Sequence, residues 1–200
     1  MNQALPSLTI VRHGETEWSA TGRHTGRRTD IPLTAQGERK ALKLKDCLAL
    51  SEFAKVWTSP LKRARRTCEL AGFGARAEVD ADLVEWDYGD YEGRKSADIR
   101  AERSGWNLFR DGCPNGETAA EVGARADRAI TRIRAVEGRT IVFSSGHILR
   151  VLAARWLGLA PSAGALFKLD TASISVLAYE HSRDDPAIAL WNETADGPFR

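Results

Sequence analysis

Residues 8–37 constrain this chain more than any other stretch, and their centre is Arg12-His13-Gly14. Leu8-Thr9-Ile10-Val11 is mostly apolar, rich in β-branched side chains, and runs straight towards a glycine, a pattern that predicts a short buried strand ended by a sharp turn. An arginine beside a histidine is costly to bring near a core unless an anion offsets the charge, and phosphate has that chemistry. A histidine kept unprotonated attacks phosphorus through a ring nitrogen, a guanidinium forks onto phosphoryl oxygens, and Gly14 lets the backbone come close. His13 is therefore the candidate nucleophile and Arg12 its candidate phosphate ligand. The three residues alone are equally compatible with a strand cap that carries no chemistry. Residues 15–32, polar and rich in Gly, Thr and Arg, are too long for a plain connector and read as a functional loop.

Beyond this stretch, strands and helices alternate. Thr34 reads as the N-cap of a helix that carries Ala41, Leu44 and Leu48 at helical spacing through about Leu50. Residues 53–58 read as a strand, and Pro60 marks the start of a helix with Lys62, Arg63, Arg65 and Arg66 in its first turns. A helix start attracts anions through its free N–H groups, so an inward Arg63 completes a phosphate cradle while the other three cations face solvent. Residues 83–93, dense in acids and aromatics, read as a strand followed by a loop. A short helix is expected over 96–103, an irregular loop over 106–118, and an amphipathic helix with solvated arginines over 118–136. Strands at 140–144 and 173–179, a helix at 149–157 and an edge strand at 187–191 complete the pattern. It predicts an α/β fold, a three-layer α/β/α sandwich around a mostly parallel sheet, as a single domain spanning 1–200.

Composition narrows the function classes. Twenty-nine basic against 27 acidic side chains leave +2, too little for a global field that captures nucleic acid or a membrane surface, so any anion site is local. Cys47, Cys68 and Cys113 form no CxxC pair and are odd in number, which disfavours a disulfide framework and suits a reducing cytoplasm. Residues 1–6 lack a basic leader pattern, and no segment approaches the roughly 18 to 20 apolar residues of a spanning helix, so a soluble protein is expected.

The motifs then assemble in order. Arg12-His13-Gly14-Glu15-Thr16-Glu17-Trp18, Gly22-Arg23-His24-Thr25-Gly26 and Asp30-Ile31-Pro32-Leu33-Thr34-Ala35-Gln36-Gly37 come first. Ser59-Pro60-Leu61-Lys62-Arg63-Ala64, the Glu85 to Gly93 segment, Gly116-Glu117-Thr118 and the Ser144 to Arg150 segment follow. Together they resemble the signature of the histidine phosphatase superfamily, which includes the cofactor-dependent phosphoglycerate mutases. The resemblance implies a phosphoglycerate mutase-like fold, His13 as nucleophile, Arg12 and Arg63 as the phosphate arginines, and Ser19, Thr25 and Gly26 as further phosphate contacts. It implies Glu85 as the general acid; the carboxyl is hemmed by Trp86 and Tyr88, surroundings that favour a held proton. Asp87, Asp90 and Glu92 read as surface acids. No metal or cofactor is required, since the arginines do what Mg²⁺ would do.

One departure matters. The family's second histidine lies in a Ser-His-Gly turn, five residues before an arginine, whereas this chain reads Phe143-Ser144-Ser145-Gly146-His147-Ile148-Leu149-Arg150. Ungapped, Ser145 occupies the second histidine's place and His147 is an outer histidine retained from a His-Gly-His variant; the alternative, His147 as the second histidine itself, needs a two-residue deletion and loses the register of Gly146 and the helix after it. Losing an imidazolium donor to the phosphoryl group costs on the order of 3 kcal/mol, about a hundredfold in rate. Ser19 stands where the family often has asparagine, and a serine can still donate. The expected activity is hydrolysis of small phosphomonoesters through a phosphohistidine. Residues 85–93 and 106–118 most resemble relatives of sedoheptulose-1,7-bisphosphatase and bacterial acid phosphatases, which implies sugar phosphates as substrates; neither nucleic acid nor membrane is an expected partner, and an oligomer stays open without being indicated. Phosphoglycerate mutase-type transfer and a catalytically weak phosphate-binding relative remain as alternatives. Against the first, the mutases carry an arginine pair and a long proline-rich insertion, where this chain has only Arg110 and a short loop.

Overall fold

The computed structural model describes residues 5–195; residues 1–4 and 196–200, and with them the two ends of the 1–200 domain and most of the N-terminal segment read above, lie outside the described residues. The strands are β1 (Ser7–Arg12), β2 (Lys55–Thr58), β3 (Ala77–Val79), β4 (Arg139–Ser144), β5 (Ser173–Tyr179) and β6 (Pro186–Thr194). The helices are α1 (Glu17–Ala20), α2 (Ala35–Leu48), α3 (Lys62–Leu70), α4 (Ser96–Glu102), α5 (Leu108–Asp111), α6 (Ala119–Arg134) and α7 (Gly146–Trp156). They surround one sheet of order β3-β2-β4-β1-β5-β6. The first four strands in that order run parallel, β5 runs antiparallel to β1, and β6 antiparallel to β5.

Alternation along the central strands builds the layers. Leu8 and Ile10 of β1, Trp57 of β2 and Val142 of β4 pack with the apolar faces of α6 and α7, while Val11, Val56, Ile141 and Phe143 point to the other face, against Leu44 and Leu48 of α2 and Cys68 of α3. Thr34 caps α2 by accepting from the Gly37 amide, and Thr118 and Glu121 form a capping box at α6. No helix among the described residues is long and apolar enough to cross a membrane.

Several expectations are corrected. Residues 83–93 contain no strand; they hold a 3-10 turn ending at Leu83 (Ala81–Leu83) and another at Gly89–Tyr91. The reason is local: Asp87 accepts from the Gly89 amide, and Gly89 has φ +52 with the Pro114 carbonyl where a Cβ would sit, so the backbone turns instead of joining a ladder. The strand of this region lies earlier, as β3. The expected loop 106–118 contains α5, capped by the Asn107 side chain. Helix α7 starts at Gly146, three residues before the expected 149, and α2 stops at Leu48. Arg125 is not solvated: it is buried on Glu117 and on the carbonyls of Asp82 and Val84.

The parallel order brings three strand ends together. Arg12 pairs in register with Ser144, the His13 amide donates to the Ser144 carbonyl at 2.9 Å, and the Ser59 amide donates to the Phe143 carbonyl at 2.9 Å. The carboxyl ends of β1, β4 and β2 therefore face one crevice, the usual place for a ligand in such a sheet.

Candidate active site

A cavity of about 160 Å³ opens at these strand ends. Of the candidates read from sequence, Arg12, His13, Ser19, Thr25, Glu85 and His147 line it. Arg63 and Ser145 are fully buried next to it, Arg63 touching His13 and Ser145 preceding the lining residue Gly146.

His13 is buried at the end of β1. Its Nδ1 lies 2.7 Å from the Gly14 carbonyl, which only accepts, so Nδ1 carries the ring proton and donates it there. Nε2 keeps its lone pair, and Arg63 Nε donates to it at 3.3 Å. Burial, reinforced by Arg63 and Arg12, holds His13 well below the ordinary histidine range. The ring is thus neutral, in one tautomer, with its free nitrogen on a guanidinium. Gly14 has another part than expected: its amide donates to Thr67 Oγ1, and a Cβ there would meet the Gly37 carbonyl at 2.6 Å, so the glycine serves helix packing and not ligand approach.

Arg63 is anchored from the first turn of α3. One terminal nitrogen donates to the carbonyls of Thr25 and Gly26 at 3.0 and 2.9 Å, which leaves Nε as the part aimed at His13. Loop 25–29 is held in turn by two acids misread as surface groups. Asp87, 5% exposed, pairs with Arg27 and Arg28, and Glu92 accepts from the Gly26 and Thr29 amides. The Gly26 amide is thereby committed, so Gly26 offers no donor to phosphate. Ser19 is committed too, because its hydroxyl donates to the Thr16 carbonyl and accepts from the Thr16 amide in the turn that starts α1.

Glu85 is 3% exposed and sits on the start of α7. One oxygen accepts from the Trp86 and Ile148 amides, the other from the His147 amide at 3.0 Å. The His147 and Ile148 amides are ones that the N-cap residue of α7, Ser145, would ordinarily satisfy, and Ser145 makes no capping bond. Among the described residues its hydroxyl is left buried without a partner, as are Arg12 Nε and Thr25 Oγ1. Unsatisfied buried groups are rare, and here three with donor hydrogens lie in or next to one small site. Arg12 also donates to the Leu169 carbonyl at 2.5 Å, and a Cβ on Gly146 would lie 3.2 Å from its Nε, so glycine is what lets the guanidinium lie across the start of α7.

His147 lies on the wall of the same cavity. Burial, with Arg150 and His24 next, keeps it well below the ordinary histidine range, and its Nδ1 is 2.5 Å from Tyr88 Oη. Tyr88, His24, Arg23 and Arg150 also line the cavity, yet sequence reasoning gave none of them a catalytic or phosphate-binding role: Tyr88 figured only as a neighbour of Glu85 and Arg150 only as a marker of register. All four lie inside the quoted motif segments, which was the available signal.

A model of the histidine phosphatase superfamily, branch 1, matches residues 8–194. The chain is 37% identical to a sedoheptulose 1,7-bisphosphatase of Saccharomyces cerevisiae, over 98% of this chain and 95% of that protein. It is 39% identical to an acid phosphatase of Mycobacterium tuberculosis, over 87% of each. The solved structure of the product of open reading frame Rv3214 of Mycobacterium tuberculosis superposes with a TM-score of 0.89 at 36% identity, over 94% of this chain and 98% of that one.

Proposed function

The chain belongs to the histidine phosphatase superfamily and is a phosphoric monoester hydrolase, and we propose that it works through a phosphohistidine on His13. The observation that carries this is the tautomer: a buried, neutral ring with its proton on Nδ1 and an unprotonated Nε2 that accepts from Arg63 Nε. Nε2 attacks phosphorus, the P–O bond to the leaving group breaks, and the Glu85 carboxyl gives its proton to the departing oxygen. Its His147-bonded oxygen accepts one hydrogen bond among the described residues, which leaves a lone pair for that proton. Arg12 Nε, Thr25 Oγ1 and Ser145 Oγ, unpartnered without ligand, take phosphoryl oxygens, and Arg63 Nε turns from His13 to the phosphoryl group as the N–P bond forms. Water then attacks phosphorus, the N–P bond breaks and returns its electron pair to His13 Nε2, Glu85 recovers a proton from the water, and phosphate leaves. Ser19 and Gly26 have no direct part in this reading.

Small sugar phosphates are the proposed substrates. Relatives are named for sugar bisphosphate and acid phosphatase activity, and the cavity adjoining the site presents Arg100, Arg150, Ser96 and Asn107 with no carboxylate. Three free cysteines suit a reducing cytoplasm, and one sheet drawing strands from Ser7 to Thr194 suits a single domain. The test compares a nitrophenyl phosphate with an alkyl phosphate, using the unaltered chain, His13→Ala and Glu85→Gln. His13→Ala should abolish both reactions. Glu85→Gln should lower alkyl ester hydrolysis by about a hundredfold or more and aryl ester hydrolysis far less, since nitrophenolate leaves without a proton. Equal losses on both esters would remove Glu85 from the acid role.

A further inference from the structure

We propose that His147 reads the leaving group: its Nε2–H donates to a hydroxyl oxygen of the departing alcohol and so selects phosphorylated sugars and other polyols over aryl esters. This rests on the phosphatase reading. His147 stands in a wall shared by two cavities, that of the phosphate site and a second of about 240 Å³ lined by Ser96, Arg100, Trp106 and Asn107 among others. Among the described residues only His24, His147 and Arg150 line both. An alcohol that extends from the first cavity into the second lies against the His147 ring.

Tyr88 sets which nitrogen carries the proton. The phenol is buried, and His147 Nδ1 is its one hydrogen-bond partner among the described residues. Were Nδ1 to donate, the phenolic hydrogen would be buried without an acceptor, so Tyr88 donates, Nδ1 accepts, and the ring hydrogen sits on Nε2. No acceptor for Nε2–H exists among the described residues. The ring is held in place by Tyr88, Phe109 and Trp86, with centroids 5.7, 5.4 and 6.5 Å away.

Glu85 places this donor on the leaving-group side. The His147 amide donates to the general-acid carboxylate at 3.0 Å, and Nδ1 lies 4.0 Å from the same oxygen. An oxygen that Glu85 protonates therefore has its neighbouring carbon substituents beside the imidazole. A neutral N–H has a use for an oxygen acceptor there and none for a plain hydrocarbon or an aromatic ring.

The test is the ratio of kcat/KM for fructose 6-phosphate to that for p-nitrophenyl phosphate, in His147→Gln, His147→Asn and Tyr88→Phe. Glutamine sets an N–H where imidazole has Nε2; asparagine reaches only as far as Nδ1. The ratio should fall about tenfold in His147→Asn, stay within about threefold of the parent in His147→Gln, and fall in Tyr88→Phe, where the tautomer is no longer fixed. Equal falls in both His147 variants, or no fall in either, would overturn the assignment while leaving the hydrolase reading intact. A parent that hydrolyses neither ester would overturn the hydrolase reading itself, and this inference with it.

Discussion

Arg125→Met should destabilise the protein far more than loss of a surface ion pair does. Arg125 and Glu117 side chains are 10% and 11% exposed, and the guanidinium reaches both Glu117 oxygens at 2.7 and 2.9 Å. It also donates to the Asp82 and Val84 carbonyls at 2.7 and 3.0 Å. Methionine preserves most of the apolar stem but strands the Glu117 carboxylate, which keeps only the Asp87 amide. Exposed pairs contribute about 0–1 kcal/mol, whereas removing one partner of a buried pair costs about 3–5 kcal/mol. A loss of about 3 kcal/mol is expected, which at a urea slope of about 2 kcal/mol/M lowers the unfolding midpoint by about 1.5 M. Adding Glu117→Gln removes the stranded charge and should recover part of the loss. Activity should fall as well, because Glu117 holds the Trp86 indole and the Asp87 amide, the two residues that follow Glu85. A single-variant loss below about 1 kcal/mol would refute the argument by placing the pair with ordinary surface bridges.

Three further outcomes are expected. Ser145→His should raise turnover of p-nitrophenyl phosphate by about a hundredfold, since the buried hydroxyl stands where a cationic donor is expected; an unaltered chain that is already as fast would show that the hydroxyl suffices. His13 and His24 are buried and His147 is partly buried, and all three are held neutral, His24 with its value lowered by burial to about 4 and the other two well below 6.5. As pH falls below 6.5 the unfolded chain binds protons that the folded chain does not, so stability present above 6.5 is lost at up to about 1.4 kcal/mol per pH unit for each histidine. Urea midpoints unchanged between pH 7 and 5 would contradict that. Inorganic phosphate should raise the thermal midpoint, by about 2.7 kcal/mol of stability at a hundredfold excess over Kd, and the rise should vanish in Arg12→Ala.

What the sequence made legible follows a physical line. The apolar, β-branched runs at 8–11 and 140–143, the Thr34 cap and the apolar spacing of 118–136 are local patterns, and each gave its element to within a few residues. Arg12, His13 and Glu85 were legible because their neighbours in the chain carry the motif. Residues 83–93 failed because acids and aromatics in a row do not show that Asp87 and Glu92 turn inward to hold loop 25–29. The commitments of Ser19 to Thr16, of Gly26 to Glu92 and of the α7 amides to Glu85 are choices of hydrogen-bond partner. Only the α1 turn is local in sequence; the others join segments tens of residues apart. Tyr88 fixing the His147 tautomer is of the same kind.

The central claim is a covalent bond between phosphorus and His13, and it is tested by trapping it. The chain is mixed with excess p-nitrophenyl phosphate, quenched in alkaline denaturant and digested, and its peptides are weighed. The account predicts one added phosphoryl group on the peptide that carries His13, stable to alkali and lost in acid, and none in His13→Ala. Turnover in which no such peptide forms, or which His13→Ala retains, would contradict it.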